Sequence, residues 1–333
     1  MEKYLVKIDH LVTQGKLPAK LGQVIRKFYQ SYKDALLQND QNIQDYLPLL
    51  DQFLEEVVLF LQTPFHFEPY HKSITEPFDY YRFGLELFRP LIMIEKSGIL
   101  HLENVNRMDE QIKKGENVIL LANHQTEPDP QVINLMLEKT HPEFVKNMIF
   151  VAGHRVVSDP LAAPFSKGCN LICIYSKKHI EYPPEKKQEK LIHNQKTMKQ
   201  LSQLLSEGGK CIYVAPSGGR DRPNDQGVVE VAPFDPQSLE LFWLIAQQAG
   251  RPTHFYPLTL VTHDLLPPPN CVIKELGERR HAQCAPVYLS FGSEIDMENF
   301  PGSQLTDKRQ KRKVRAEYIW NLVKSDYQKL TVV

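Results

Sequence analysis

Hydrophobic positions in the first sixty residues recur every three to four places. Ile8, Leu11, Leu17, Leu21, Val24, Ile25 and Phe28 form one series; Leu47, Leu49, Leu50, Phe53, Leu54, Val57, Val58 and Leu61 form a second. That period belongs to helices burying one face, so it predicts a helical N-terminal segment. It stops at TPFHFEPYHKSITEP (63–77), where three prolines and no period predict a connection. The aromatic cluster that follows (Phe78, Tyr80, Tyr81, Phe83, Phe88) is expected to fill core rather than bind a ligand. Beyond about residue 115 the pattern changes to short apolar runs, at Val118–Ala122, Met148–Ala152, Leu171–Tyr175, Cys211–Ala215, Phe255–Val261, Cys271–Leu276 and Val287–Phe291. These suit buried strands, and helical patterns near 130–139, 187–206, 236–249 and 307–326 separate or follow them. In the second, Leu191, Met198, Leu201, Leu204 and Leu205 share a face. The alternation predicts an α/β domain over residues 76–333, preceded by a helical bundle over 1–75.

Composition narrows the partners. Forty Lys and Arg against forty Asp and Glu give no net charge, which excludes binding to nucleic acid by bulk positive charge. The cancellation is uneven: residues 1–110 carry 12 basic and 16 acidic side chains, and residues 176–222 carry 10 basic against 5 acidic. A second basic run, from Lys308 to Arg315, opens the last helical pattern. Local positive charge in a neutral chain points to a small anionic ligand. The five cysteines include no C-x-x-C pair, so buried free thiols in a reducing compartment are expected. No apolar run approaches the roughly 18–20 residues that span a bilayer.

The chemistry is expected at the carboxyl ends of the strands, where open α/β sheets bind ligands. Four consecutive apolar runs are followed there by Asn123-His124-Gln125-Thr126-Glu127-Pro128-Asp129, by Gly153-His154-Arg155 with Asp159 beyond, by Ser176-Lys177-Lys178-His179, and by Ser217-Gly218-Gly219-Arg220-Asp221-Arg222. A His with an Asp five residues on suits a general base and its orienting carboxylate. Two pairs meet that spacing, His124/Asp129 and His154/Asp159, and spacing does not choose between them. Glycines let backbone approach a ligand, and guanidiniums grip phosphate oxygens. Arg220, Arg222 and Lys178, with His179 as a donor, therefore suit a phosphomonoester; the competing reading pairs the arginines with Asp221, Asp225 or surface carboxylates. No P-loop motif is present.

The segments ANHQTEPDP, FVAGHRVVSDPLAAPFSKG, LICIYSKKH, APSGGRDRP and FYPLTLVTHDLLPPP, in that order, resemble the soluble plastid-type glycerol-3-phosphate acyltransferases. The resemblance covers most of residues 75–300. It implies a mixed central sheet flanked by helices after a small helical bundle. It selects His124 and Asp129 for catalysis, and it puts Lys178, His179, Arg220 and Arg222 at the glycerol-phosphate site. It implies transfer of a fatty acyl group from an acyl carrier protein or CoA thioester to the 1-hydroxyl of glycerol 3-phosphate. His124 would act as general base in a direct attack, with no acyl-enzyme, metal or bound cofactor. Pro128 stands where the family has a small residue and is expected to stiffen the turn while leaving Asp129 in reach. The start at Met1 suits a bacterial cytosolic enzyme or a processed plastid form. The Lys308–Arg315 run would meet an acidic carrier protein or anionic lipid, or is simply a solvated helix face. Competing functions are an acyltransferase acting on lysophosphatidate, a non-catalytic acyl-carrier or lipid-binding protein, and a thioesterase-like hydrolase.

Overall fold

The computed structural model of the chain describes residues 3–269 and 277–331, apart from the side chains of Lys177 and Lys178. Three helices come first: α1 (Lys3–Thr13), α2 (Ala19–Gln38) and α3 (Ile43–Gln62). Their apolar stripes turn inward, so Ile8, Ile25, Leu50 and Leu54 are fully buried. The side chain of Asn42 caps α3 by accepting from the Gln44 amide at 3.0 Å, satisfying one of the donors a helix start leaves unpaired. Then follow β1 (Tyr70–His71), α4 (Tyr80–Phe88), β2 (Gly98–Leu100), α5 (Leu102–Lys113), β3 (Asn117–Ala122), α6 (Asp129–Leu137), α7 (Pro142–Lys146), β4 (Ile149–Gly153), α8 (His154–Ser158), α9 (Ala163–Lys167) and β5 (Asn170–Ile174). The rest comprises α10 (Lys177–Ile180), α11 (Lys187–Glu207), β6 (Cys211–Val214), β7 (Arg222–Pro223), β8 (Val229–Glu230), α12 (Pro236–Gln248), β9 (Thr253–Val261), β10 (Tyr288–Phe291) and α13 (Lys308–Thr331).

Eight strands form one mixed sheet in the order β1-β5-β4-β6-β3-β9-β10-β2. The five central strands, β5 to β9 in that order, run parallel, while β1 and β10 pair antiparallel to β5 and β9. All six residues of β3 are buried, as a central parallel strand covered on both faces requires. Six of the seven expected strand runs are strands here; the seventh, Cys271–Leu276, lies outside the described residues. Two expectations need correction. The stretch 63–77 is more than a connection, because Tyr70 and His71 add an edge strand opposite Ile172 and Leu171. Within the Lys308–Arg315 run, Arg315 is buried, bonds Glu240 at 2.6 Å and covers the Trp243 ring at 4.0 Å, so it belongs to the packing of α13 on α12.

The expected core aromatics do pack: Phe83 and Phe88 are buried and both meet the Phe165 ring, at 5.7 and 5.1 Å. Phe53 of α3 stacks on the same ring at 5.4 Å, so the N-terminal helices share a core with the elements that cover the sheet. Gly168 makes this junction close, because a Cβ there would stand 2.4 Å from the Tyr80 carbonyl. Four of the cysteines are buried free thiols, and burial pushes the Cys169 and Cys173 thiols up to about 12.

One ion pair ties α3 to α9. Lys167 Nζ lies 3.1 Å from Glu56 Oε2 with both side chains 7% exposed, and the Tyr80 hydroxyl donates to the same oxygen at 2.8 Å. Removing one member of a buried pair leaves the other charge uncompensated, at a cost of about 3–5 kcal/mol. Glu56→Gln and Lys167→Met are each expected to lower the unfolding free energy by that order in urea titrations. A loss below about 1 kcal/mol, the worth of a surface pair, would contradict the assignment.

Candidate active site

Because the central strands are parallel, their carboxyl ends share one edge: Leu121 pairs with Val214, Ala122 with Leu258, and Gly153 with Ile174. The four polar segments that follow the strands therefore converge, and all four contribute to the wall of a cavity of about 1010 Å³. His124, Arg155, His179, Arg220 and Arg222 face it together with the glycines at 218 and 219. Apolar side chains line the remainder, among them Ile25, Phe28 and Phe53 from the N-terminal helices and Met198 and Leu241 from α11 and α12. A polar centre within a mostly apolar cavity suits an amphiphilic ligand.

The two His/Asp pairs differ in geometry. His124 Nδ1 lies 2.7 Å from Asp129 Oδ2. An ionised carboxylate only accepts, so Nδ1 is the donor in this bond, and in the neutral ring that leaves Nε2 as the acceptor. Asp129 is 1% exposed and begins α6, where its carboxylate also accepts from the Gln125 and Thr126 amides at 2.9 and 3.3 Å and from the Thr262 hydroxyl at 2.6 Å. Pro128 and Pro130 flank it without cost, because amides at a helix start have no intrahelical partner. Asp159 is committed elsewhere: it accepts from the Leu161 and Gly277 amides at 2.9 and 2.8 Å and faces Arg280 at 3.4 Å. His154 stacks on Tyr175, with ring centroids 4.3 Å apart.

Several residues that fix this site were not singled out from the sequence. Asn123 is fully buried; its carboxamide accepts from the Leu260 amide at 2.8 Å and donates to the Leu260 carbonyl at 3.0 Å. Gln125, equally buried, accepts from the Thr262 and His263 amides at 2.8 and 3.1 Å. Both side chains donate to Asp221, at 2.8 and 3.2 Å, and the Asp221 amide donates to the His124 carbonyl at 2.6 Å. Burial pushes the Asp221 carboxyl up to about 6, against the pull of these donors, the Ala232 amide and His124. The signal was present as polar residues directly after an apolar run, and it reads equally well as a solvated loop.

The anion-binding candidates are distributed along the wall. His179 Nδ1 is 2.8 Å from the Ser176 hydroxyl, and Arg222 donates to the Pro269 and Arg220 carbonyls at 3.2 and 3.0 Å. Gly218 adopts φ 66°, the left-handed turn that suits glycine. The side chain of Lys178 lies outside the described residues. Arg220 has partners, but not Asp221 or Asp225: it bonds Glu278 and lies 3.8 Å from Glu127. Glu127 is in turn held by both forks of Arg280, at 2.6 and 3.0 Å. Burial opposes the charge of Arg280, but the carboxylates of Glu127, Asp159 and Glu278 outweigh it and raise its pKa. Among the described residues, no group of three His, Cys, Asp or Glu side chains is arranged to hold a metal ion.

Residues 104–261, which hold the central strands and the His124–Asp129 pair, match the family model described as Acyltransferase. Residues 1–65 match the model described as the glycerol-3-phosphate acyltransferase N-terminal region. The chain is 41% identical over 300 residues to a chloroplastic glycerol-3-phosphate acyltransferase of Cucurbita moschata, covering 89% of this chain and 65% of that one. It is 39% identical over 316 residues to the enzyme of that name from Spinacia oleracea, covering 94% and 67%, and 39% identical over 285 residues to that of Arabidopsis thaliana, covering 85% and 62%. The chain belongs to the glycerol-3-phosphate acyltransferase family. It spans about 65% of the length of the first of these relatives.

His154 supplies a check on the electrostatics. Burial lowers its pKa to about 4, helped by Lys190, His179, His193 and Lys186. An unfolded histidine titrates near 6.5, so the folded ring binds fewer protons between these values. Its contribution to stability is present above about 6.5 and is lost as the pH falls through about 4. An NMR titration of its ring protons is expected to give a midpoint near 4; a midpoint near 6.5 would show that the ring is solvated.

Proposed function

We propose that this protein transfers a fatty acyl group from an acyl thioester to the sn-1 hydroxyl of glycerol 3-phosphate, giving lysophosphatidate. The observation that carries the reading is His124: its Nδ1 lies 2.7 Å from Asp129 Oδ2, and the residue lines a cavity that guanidiniums and apolar side chains line with it. Membership of the family supports the same substrates. His124 Nε2 takes the proton of the acceptor hydroxyl as its oxygen attacks the thioester carbonyl. Asp129 stabilises the imidazolium that forms. Collapse of the tetrahedral intermediate breaks the carbon–sulfur bond, and the imidazolium proton goes to the departing thiolate. No acyl-enzyme and no bound cofactor enters this scheme.

Arg220 and Arg222, with His179 and Lys178, hold the acceptor phosphate and so aim its hydroxyl at His124. The acyl chain occupies the apolar part of the cavity, whose lining fits hydrocarbon. The donor is an acyl carrier protein or CoA thioester. An acidic carrier, or an anionic membrane surface, would be met by Lys308, Arg309, Lys311, Arg312 and Lys313, which precede the buried Arg315. The relatives are named as chloroplastic, which favours a plastid stroma over a bacterial cytosol as the compartment. No described helix is long and apolar enough to cross a membrane.

Incubation with acyl thioester is expected to release thiol only when glycerol 3-phosphate is present. Release without acceptor would indicate a hydrolase, preference for lysophosphatidate would move the acceptor one step on, and tight binding without release would indicate a carrier. His124→Ala should lower kcat by about 10²–10⁴, the usual worth of a general base, while His154→Ala keeps most of the activity. The reverse ranking would move the base to His154.

A further inference from the structure

The cavity wall carries a chain of six charges in alternating sign. Arg155 Nη2 lies 3.6 Å from Glu278 Oε2, and the other oxygen of Glu278 bonds Arg220. Arg220 faces Glu127 at 3.8 Å, Glu127 is clamped by Arg280, and Arg280 faces Asp159 at 3.4 Å. All six residues line the cavity, and the chain as a whole is neutral. A phosphate dianion approaching this wall therefore meets arginines whose charge is already balanced. The carboxylate of Glu278 occupies the point between two guanidiniums, with one oxygen toward each. Two guanidiniums converging on one pair of oxygens is the arrangement that recognises phosphate.

We infer that Glu278 is an internal counter-ion standing in the position of the ligand's phosphate, and that Arg155 is a phosphate-binding residue alongside Arg220. This rests on reading the cavity as a site for a phosphate monoester. Displacing Glu278 exchanges both of its links, the 3.6 Å contact with Arg155 and the bond with Arg220. Glu127 stays with Arg280, whose two forks grip it. Glu278 is only 4% exposed, so its charge is poorly screened and it competes with the ligand at full strength. The cost of displacing it weakens binding of a phosphate monoester at this point, and its presence keeps the two guanidiniums compensated while the site is empty.

Inorganic phosphate is the probe, titrated by calorimetry into the full-length wild type, Glu278→Gln and Arg155→Gln, with circular dichroism to establish folding. Glu278→Gln is expected to tighten phosphate binding about tenfold and lower the acceptor KM with it, leaving the donor KM unchanged. Arg155→Gln is expected to weaken phosphate about tenfold, equivalent to about 1.4 kcal/mol. Weaker binding by Glu278→Gln would show that Glu278 merely orients Arg220, and would overturn the displacement. Unchanged binding by Arg155→Gln would remove Arg155 from the site. Should Glu278→Gln not fold, Arg155→Gln carries the test, at a side chain 23% exposed. Acceptor-dependent thiol release by the wild type tests the proposed function separately, so either idea can fail without the other.

Discussion

Strand β3 ends at Ala122, but its neighbour β9 continues to Val261, and the carboxamide of Asn123 fills the gap. It accepts from the Leu260 amide of β9 and donates to the Leu260 carbonyl, so both backbone groups of that residue stay paired beyond the end of β3. Gln125 repeats the device one step on, against the Thr262 and His263 amides. His124 is the residue between these two buried anchors. Its carbonyl is held by the Asp221 amide and its ring by Asp129, so backbone and side chain are fixed by separate partners. The bonds of Asn123 to Leu260 and of Gln125 to Thr262 are buried, and leaving one unmade would cost about 1–3 kcal/mol. The loop therefore has one arrangement, and the imidazole is oriented before any ligand arrives.

How much of this could be read from the chain follows from where the determining contacts lie. The central strands were legible because burial on both faces leaves an unbroken apolar run, as in NVILLA of β3. Strands β1 and β2 were not, being two and three residues long at the outer positions of the sheet. Helix α5 escaped because its sequence, LENVNRMDEQIK, buries only Val105, Met108 and Gln111. Both His/Asp spacings are real, yet Asp159 is drawn away by a peptide amide 118 residues distant. The partners that fixed the choice lay outside any window that a spacing rule can examine.

The same reasoning explains the basic clusters. Counting cations in residues 176–222 treats them as available to a ligand, whereas Arg220 bonds a carboxylate 58 positions further along. Arg315, counted in the terminal basic run, neutralises Glu240 beneath α13 instead. A run of like charges in sequence is dispersed by folding, and the field at the cavity is set by residues such as Glu127, Glu278 and Arg280 from separate segments. Zero net charge for the whole chain is repeated in the neutral chain of six along the cavity wall.

The N-terminal helices enter the function through packing. Phe53 of α3 both lines the cavity and stacks on Phe165, and Phe165 stands two residues before Lys167, the partner of Glu56. Glu56 and Phe53 are three apart on one helix, so they share a face. The ion pair and the ring stack thus fix α3 against α9 at neighbouring points, and both rings of the stack line the cavity. The helical bundle, through Ile25, Phe28 and Phe53, is therefore part of the cavity wall, and the contacts that hold the bundle on the sheet domain also place that wall.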